Sequence, residues 1–194
     1  MQELDFQAGL ATLTKRFADL LDQNLNPVLL IDGRAGSGKS TLAAKLRDEI
    51  FRLGDGAPHL IHMDDLYPGW EGLRAGSSYL LQQVLKPLPN PVSYQKWDWE
   101  NAKRGVDSDE FAGWRHYQPG TGLIIEGCGS LSRATKELAT LSVWIECDLA
   151  TRKKRWQERD GHRFDEFWPI WELQEDEFYE AESSASIADF VIRS

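Results

Sequence analysis

Two rhythms of apolar residues alternate along this chain. Over residues 3–24, Phe6, Leu10, Leu13, Phe17 and Leu20 stand three or four apart, the spacing that lines one face of an amphipathic helix. Asn26-Pro27 ends that stretch, because proline cannot continue a helix. Val28 to Ile31 is then a short unbroken apolar run, which predicts a strand buried on both faces. The same reading gives strands at His59–Met63, Leu123–Gly127, Leu141–Glu146 and Ala188–Ile192. Helix-compatible stretches lie between them at 42–51, around 76–86, at 149–160 and at 168–183. The last begins at Pro169, and proline suits a first helical turn. Gly54-Asp55-Gly56 reads as a turn, and residues 66–121 are broken by Pro68, Pro87, Pro89, Pro91 and Pro119.

Strands alternating with helices predict a single α/β domain over 1–194, a mainly parallel five-stranded sheet between two helical layers. Its parts are an N-terminal helix at 1–26, an insert at 66–121 and a basic helical segment at 149–165. Ligands of such sheets sit at the carboxyl ends of the strands. Gly33, Asp64 and Glu126 all fall there.

Composition narrows the partners. A net charge of −9 argues against a nucleic-acid or anionic-membrane surface, both of which need a basic footprint. No apolar run approaches membrane-spanning length, and the first residues lack the basic-then-apolar order of a signal peptide. Cys128 and Cys147 lack metal-ligand spacing and read as buried reduced thiols. The expectation is a cytoplasmic protein.

The densest chemical signal is Gly33-Arg34-Ala35-Gly36-Ser37-Gly38-Lys39-Ser40-Thr41. It fits the phosphate-binding pattern G-x-x-x-x-G-K-[ST], with a strand before it and a helix after it. Glycines let successive N–H groups turn inward as an anion nest, and the helix N-terminus adds positive charge. Lys39 can then reach the outer phosphates of a nucleoside triphosphate, and the Ser40 hydroxyl can hold Mg²⁺. Glu126 ends an apolar strand where a Walker-B carboxylate stands, which assigns it to the magnesium shell. Read without the loop, it is a strand-end carboxylate paired with a lysine. Asp64-Asp65 also follow a strand, and read either as a turn cap or as carboxylates for proton transfer or magnesium.

Arg152, Arg155 and Arg159 lie on one helix face. They read either as a lid closing over transferring phosphates or as a solvated face pairing with Glu158, Asp160 and Asp165. Of the eight tryptophans, Trp70, Trp97, Trp99 and Trp114 fall in the insert. With Tyr67, Tyr94 and Asp98 they either wall a flat ligand or form the small core that holds the segment together. His59, His62, His116 and His162 have no metal spacing and receive no role.

With these residues in view, the sequence resembles the uridine kinase-like branch of P-loop kinases, which includes phosphoribulokinase and pantothenate kinase. The resemblance rests on Asp32–Thr41, on His62-Met-Asp-Asp-Leu-Tyr-Pro68, and on Pro91–Trp99 with its aromatic-Asp segment. It continues through Ile124-Ile-Glu-Gly127, Arg152–Asp160 and the closing strand from Ala188. It implies a P-loop NTPase fold with a helical lid, and ATP and Mg²⁺ as cofactors. The implied reaction moves the γ-phosphoryl of ATP to a hydroxyl of a small metabolite. Asp64 matches the family's catalytic base, and Tyr67, Trp70, Tyr94, Trp97 and Asp98 fall on the acceptor side. Departures fall there too. Gly69-Trp-Glu-Gly-Leu73 stands where uridine kinases carry Phe-Asp-His-Pro, and Trp156 where a second arginine is frequent. The rival reading is a regulatory nucleotide switch acting on a protein partner; the guanine motif Asn-Lys-x-Asp and the ABC signature Ser-Gly-Gly are both missing from the sequence.

Overall fold

Gln2–Asp5 (β1), Val28–Asp32 (β2), His59–His62 (β3), Leu123–Glu126 (β8), Leu141–Glu146 (β9) and Phe190–Arg193 (β10) build the central sheet. Its order is β1-β10-β9-β2-β8-β3, and every pairing in it is parallel. The computed structural model describes residues 2–23, 25–54 and 56–194. Met1, Asn24, Asp55 and the side chain of Asp160 lie outside the described residues, and with Asp55 the centre of the predicted 54–56 turn.

The sheet has six strands rather than five. The added strand, β1, carries no apolar run: Gln2, Glu3 and Asp5 are exposed and Leu4 is half-buried. Backbone pairing with β10 holds it at the sheet edge. The N-terminal helix therefore starts later than its periodicity predicts, as Phe6–Asp22 (α1), where the Asp5 carboxylate accepts from the Ala8 N–H at 2.8 Å. Asp5 thus satisfies one of the free donors of the first turn.

Side-chain alternation along β2 separates the layers. Leu29 and Ile31 face Leu13 and Phe17 of α1, and Leu42, Leu46 and Ile50 of Lys39–Arg52 (α2). Val28 and Leu30 face the opposite core, shared with Tyr67, Trp171 and Phe178. Each such fully buried side chain contributes roughly 1.5–3 kcal/mol.

In the 66–121 stretch the predicted helix is present but begins earlier, as Leu73–Tyr79 (α3) followed by a wider π-type turn over Leu80–Leu85. Two small antiparallel ladders follow, which hydropathy did not suggest. Val92–Gln95 (β4) pairs with Trp114–Tyr117 (β7), and Trp97–Asp98 (β5) with Lys103–Arg104 (β6). The remaining helices are Arg133–Lys136 (α4), Leu149–Asp160 (α5), Trp168–Glu182 (α6) and Ser184–Ile187 (α7). Among the described residues no helix is long and apolar enough to cross a membrane.

Phe17 is completely buried between α1 and the sheet. Phe17→Ala is expected to cost about 3–5 kcal/mol in urea unfolding; a loss under about 1 kcal/mol would contradict this packing.

Candidate active site

The turn out of β2 is set by a glycine. Gly38 adopts a left-handed conformation (φ 100°) directly before α2, so the helix begins at Lys39 with its first N–H groups aimed back at the loop. Lys39 is only 8% exposed. Its Nζ donates to Gly33 O at 2.7 Å and Arg34 O at 3.0 Å, with Cys128 Sγ at 3.4 Å. Burial works against its charge, but Cys128, Glu126, Glu175 and Asp32 around it more than restore it, and its pKa stands above that of an ordinary lysine.

Strands β3 and β8 bring the carboxylates to the same rim. Glu126 stands in register with Ile31 of β2 and His62 of β3. Its Oε1 accepts from Ser40 Oγ at 3.0 Å and lies 2.6 Å from His62 Nδ1. That bond raises the His62 pKa against the opposing effect of burial. Gly127 then turns the chain at φ +141°, and a Cβ there would lie 2.3 Å from Met63 Cβ. This close approach sets the start of the 3₁₀ turn Met63–Asp65 against the end of β8. Asp64 is exposed at the turn, yet the surrounding protein still desolvates its carboxyl. Desolvation first, then the charge of Glu126, pushes its pKa up, while Arg159, Lys39 and His62 pull it down. Asp65 is paired with Lys96 at 2.8 Å. Trp99 Nε1 donates to the Asp64 carbonyl at 2.9 Å, which fixes the turn from the insert side.

All three predicted arginines meet the loop or its cleft. Arg152 is buried and donates to Ala35 O at 3.3 Å, which excludes a solvated role for it. Arg155 Nη1 contacts Gly36 O and Ser37 O at 3.4 Å each and Ser194 Oγ at 2.8 Å. Arg159 bears on Asp64 electrostatically.

The insert residues divide. Tyr67 and Tyr94 lie in the core rather than on a pocket wall, at 1% and 2% exposure. The Tyr67 hydroxyl donates to Cys128 O at 2.7 Å, and its ring meets Trp171 edge-on. Asp98 is taken by its own turn, accepting from Glu100 N, Asn101 N and Asn101 Nδ2. Trp97 is half-buried against Arg104. Trp70 stacks on Phe167 at 4.3 Å and touches Trp99 and Trp156, joining the insert to the arginine-bearing helix. A cavity of about 360 Å³ lies elsewhere, along the outer flank of β3, and among its lining residues His62 contacts the site.

Two solved structures share this arrangement of strands, loop and helices. A possible uridine kinase from Bacillus stearothermophilus superimposes with a TM-score of 0.59 at 21% identity, covering 93% of this chain and 99% of its own. A provisionally assigned fructose transport system kinase from Silicibacter sp. TM1040 gives 0.57 at 20% identity, covering 94% and 98%. The chain has the three-layer α/β/α fold of P-loop NTPases. No protein-family model matches it, and no curated protein matches it in sequence.

Three residues at this site received no role from the sequence. Asp32 is fully buried and accepts from the N–H groups of Gly33, Gly129 and Leu131 and from the Tyr179 hydroxyl. Glu175 accepts from Ala35 N–H at 2.6 Å. His62, given no role from its spacing, contacts Glu126. A signal for Glu175 existed: with Trp168, Trp171 and Phe178 it lies on the buried face of α6, where a lone carboxylate needs a partner.

Burial raises the Asp32 pKa to about 6, its donors pulling it back only in part. The folded chain therefore holds that proton more tightly than the unfolded chain, and stability falls as pH rises through this window. The effect between about pH 4 and pH 6 is roughly 3 kcal/mol. Asp32→Asn cannot titrate and turns an NH₂ toward donors. It should be less stable than wild type throughout, by a margin that narrows as pH rises across that range in chemical denaturation; a constant margin would contradict the shift.

Proposed function

We propose that this protein is an ATP-dependent kinase transferring the γ-phosphoryl of ATP to a hydroxyl of a small metabolite. The observation that carries the reading is the meeting of Lys39, Ser40, Glu126 and Asp64 at one rim, on a fold shared with two proteins named as kinases. The loop amides and Lys39 bind the β- and γ-phosphates, with residues 33–41 as the nucleotide site. Asp65 is engaged by Lys96, which leaves Asp64 to face Glu126, Lys39 and Arg159. Asp64 is the base that takes the hydroxyl proton; its raised pKa brings it nearer the working range of a general base. Arg155 and Arg159 of the α5 lid neutralise charge on the moving phosphoryl, while Arg152 positions the loop. Trp99, whose indole donates to the Asp64 carbonyl, and Trp70 packed against it wall the acceptor.

The residues present fit Mg²⁺. Ser40 Oγ and Glu126 Oε1 are hard oxygen donors 3.0 Å apart, and Mg²⁺ takes one or two protein oxygens with substrate phosphates and water. Ser40 and Glu126 would hold it, with Asp64 nearby. Bound there, the ion would supply charge neutralisation to the phosphates.

Positioning and electrostatics account for most of the rate in such reactions. Lys39→Ala should therefore lose ATP binding in calorimetry; unchanged affinity would remove the loop from nucleotide recognition. Asp64→Asn should keep ATP affinity and lose turnover by roughly 10²–10⁴-fold. ATP consumption by the wild type should depend on an added hydroxyl compound from an acceptor panel. Turnover indifferent to every acceptor but stimulated by a protein would favour the regulatory switch.

A further inference from the structure

One residue of the phosphate-binding loop is held through both of the peptide groups that flank it. The Ala35 N–H donates to Glu175 Oε1 at 2.6 Å, and the Ala35 C=O accepts from Arg152 Nη1 at 3.3 Å. Glu175 belongs to α6 and Arg152 to α5, and they are 1% and 5% exposed. The second carboxylate oxygen of Glu175 faces two guanidinium groups, Arg34 at 3.6 Å and Arg152 at 3.8 Å. The Cys128 thiol donates to Oε1 at 3.3 Å. The next residue, Gly36, lies so close that a Cβ would stand 2.3 Å from the Arg152 carbonyl oxygen. Two helices on the far side of the loop thus meet its backbone at consecutive residues.

Stability alone does not call for this arrangement. Replacing a buried ion pair by apolar side chains is often neutral or stabilising, and Glu175 lies between Trp171 and Phe178 on an otherwise apolar face. A carboxylate there adds direction. It fixes the plane of the Arg34–Ala35 peptide, and that plane sets how the following amides turn inward to form the anion nest. Arg34 also pairs with Asp176 at 2.6 Å, so two arginines and two carboxylates balance in charge behind the loop.

We propose that Glu175 is a positioning residue for nucleotide binding, holding the Arg34–Ala35 peptide through the Ala35 N–H so that the loop amides converge on phosphate. This rests on the kinase reading above. Glu175→Asp keeps the charge facing Arg34 and Arg152 but shortens the reach to Ala35. It should speed amide hydrogen exchange at Ala35 and weaken ATP binding roughly tenfold, with a melting midpoint near wild type. Glu175→Gln keeps an oxygen within reach and removes the charge. It should retain Ala35 protection while losing thermal stability. Should Glu175→Gln fail to fold, Glu175→Asp alone carries the test. A merely structural role would lower the midpoint of both variants and leave the ATP affinity of folded protein unchanged. Glu175→Asp binding ATP as the wild type does, with Ala35 still protected, would overturn the proposal and leave the kinase reading standing. Wild-type protein that binds no ATP would overturn both.

Discussion

Four donors from three parts of the chain converge on the buried carboxylate of Asp32. Gly33 belongs to the phosphate-binding loop, Gly129 and Leu131 to the turn after β8, and Tyr179 to α6. A carboxylate out of water is costly unless its lone pairs are filled, so each donor is needed where it stands. The loop is thereby tied to the same node as the strand end that carries Glu126. Were Asp32 unsatisfied, nothing in the hydrophobic packing would hold the loop and that turn in one fixed relation, because apolar contacts are not directional.

The same logic recurs one layer out. Glu175 and Arg152 engage the loop backbone from two helices, and the aromatic cluster around Trp70 joins the insert to α5. Helices, insert and sheet edges all meet at the carboxyl ends of β2, β3 and β8. In a parallel sheet that end carries the loops. Polar interactions are concentrated there, and the two cores on either side of the sheet are apolar.

Much of this was legible in the residues. Val28–Ile31, Leu123–Glu126 and Leu141–Ile145 are fully buried, and their mainly apolar runs say so. The loop carried its own signature, and the strand-end rule placed Asp64 and Glu126 near it. β1 was illegible because backbone pairing at an edge needs no apolar side chains. The small ladders of the insert were hidden by prolines that flank rather than interrupt them. Tyr67, Tyr94 and Asp98 are residue types that serve a pocket or a core equally well, and only packing distinguishes the two. Glu175 and His62 received no role from spacing, because their contacts with Ala35 and Glu126 arise from tertiary structure.

On the proposed reading, loop and carboxylates form one magnesium-dependent nucleotide site. Calorimetric titration of ATP into wild type and Glu126→Gln, each with and without Mg²⁺, tests it most directly. Wild-type affinity should rise on adding Mg²⁺, by roughly tenfold or more for one recovered charge-assisted contact, and the variant should lose most of that rise. ATP binding that is absent from the wild type, or equally responsive to Mg²⁺ in both proteins, would contradict the account.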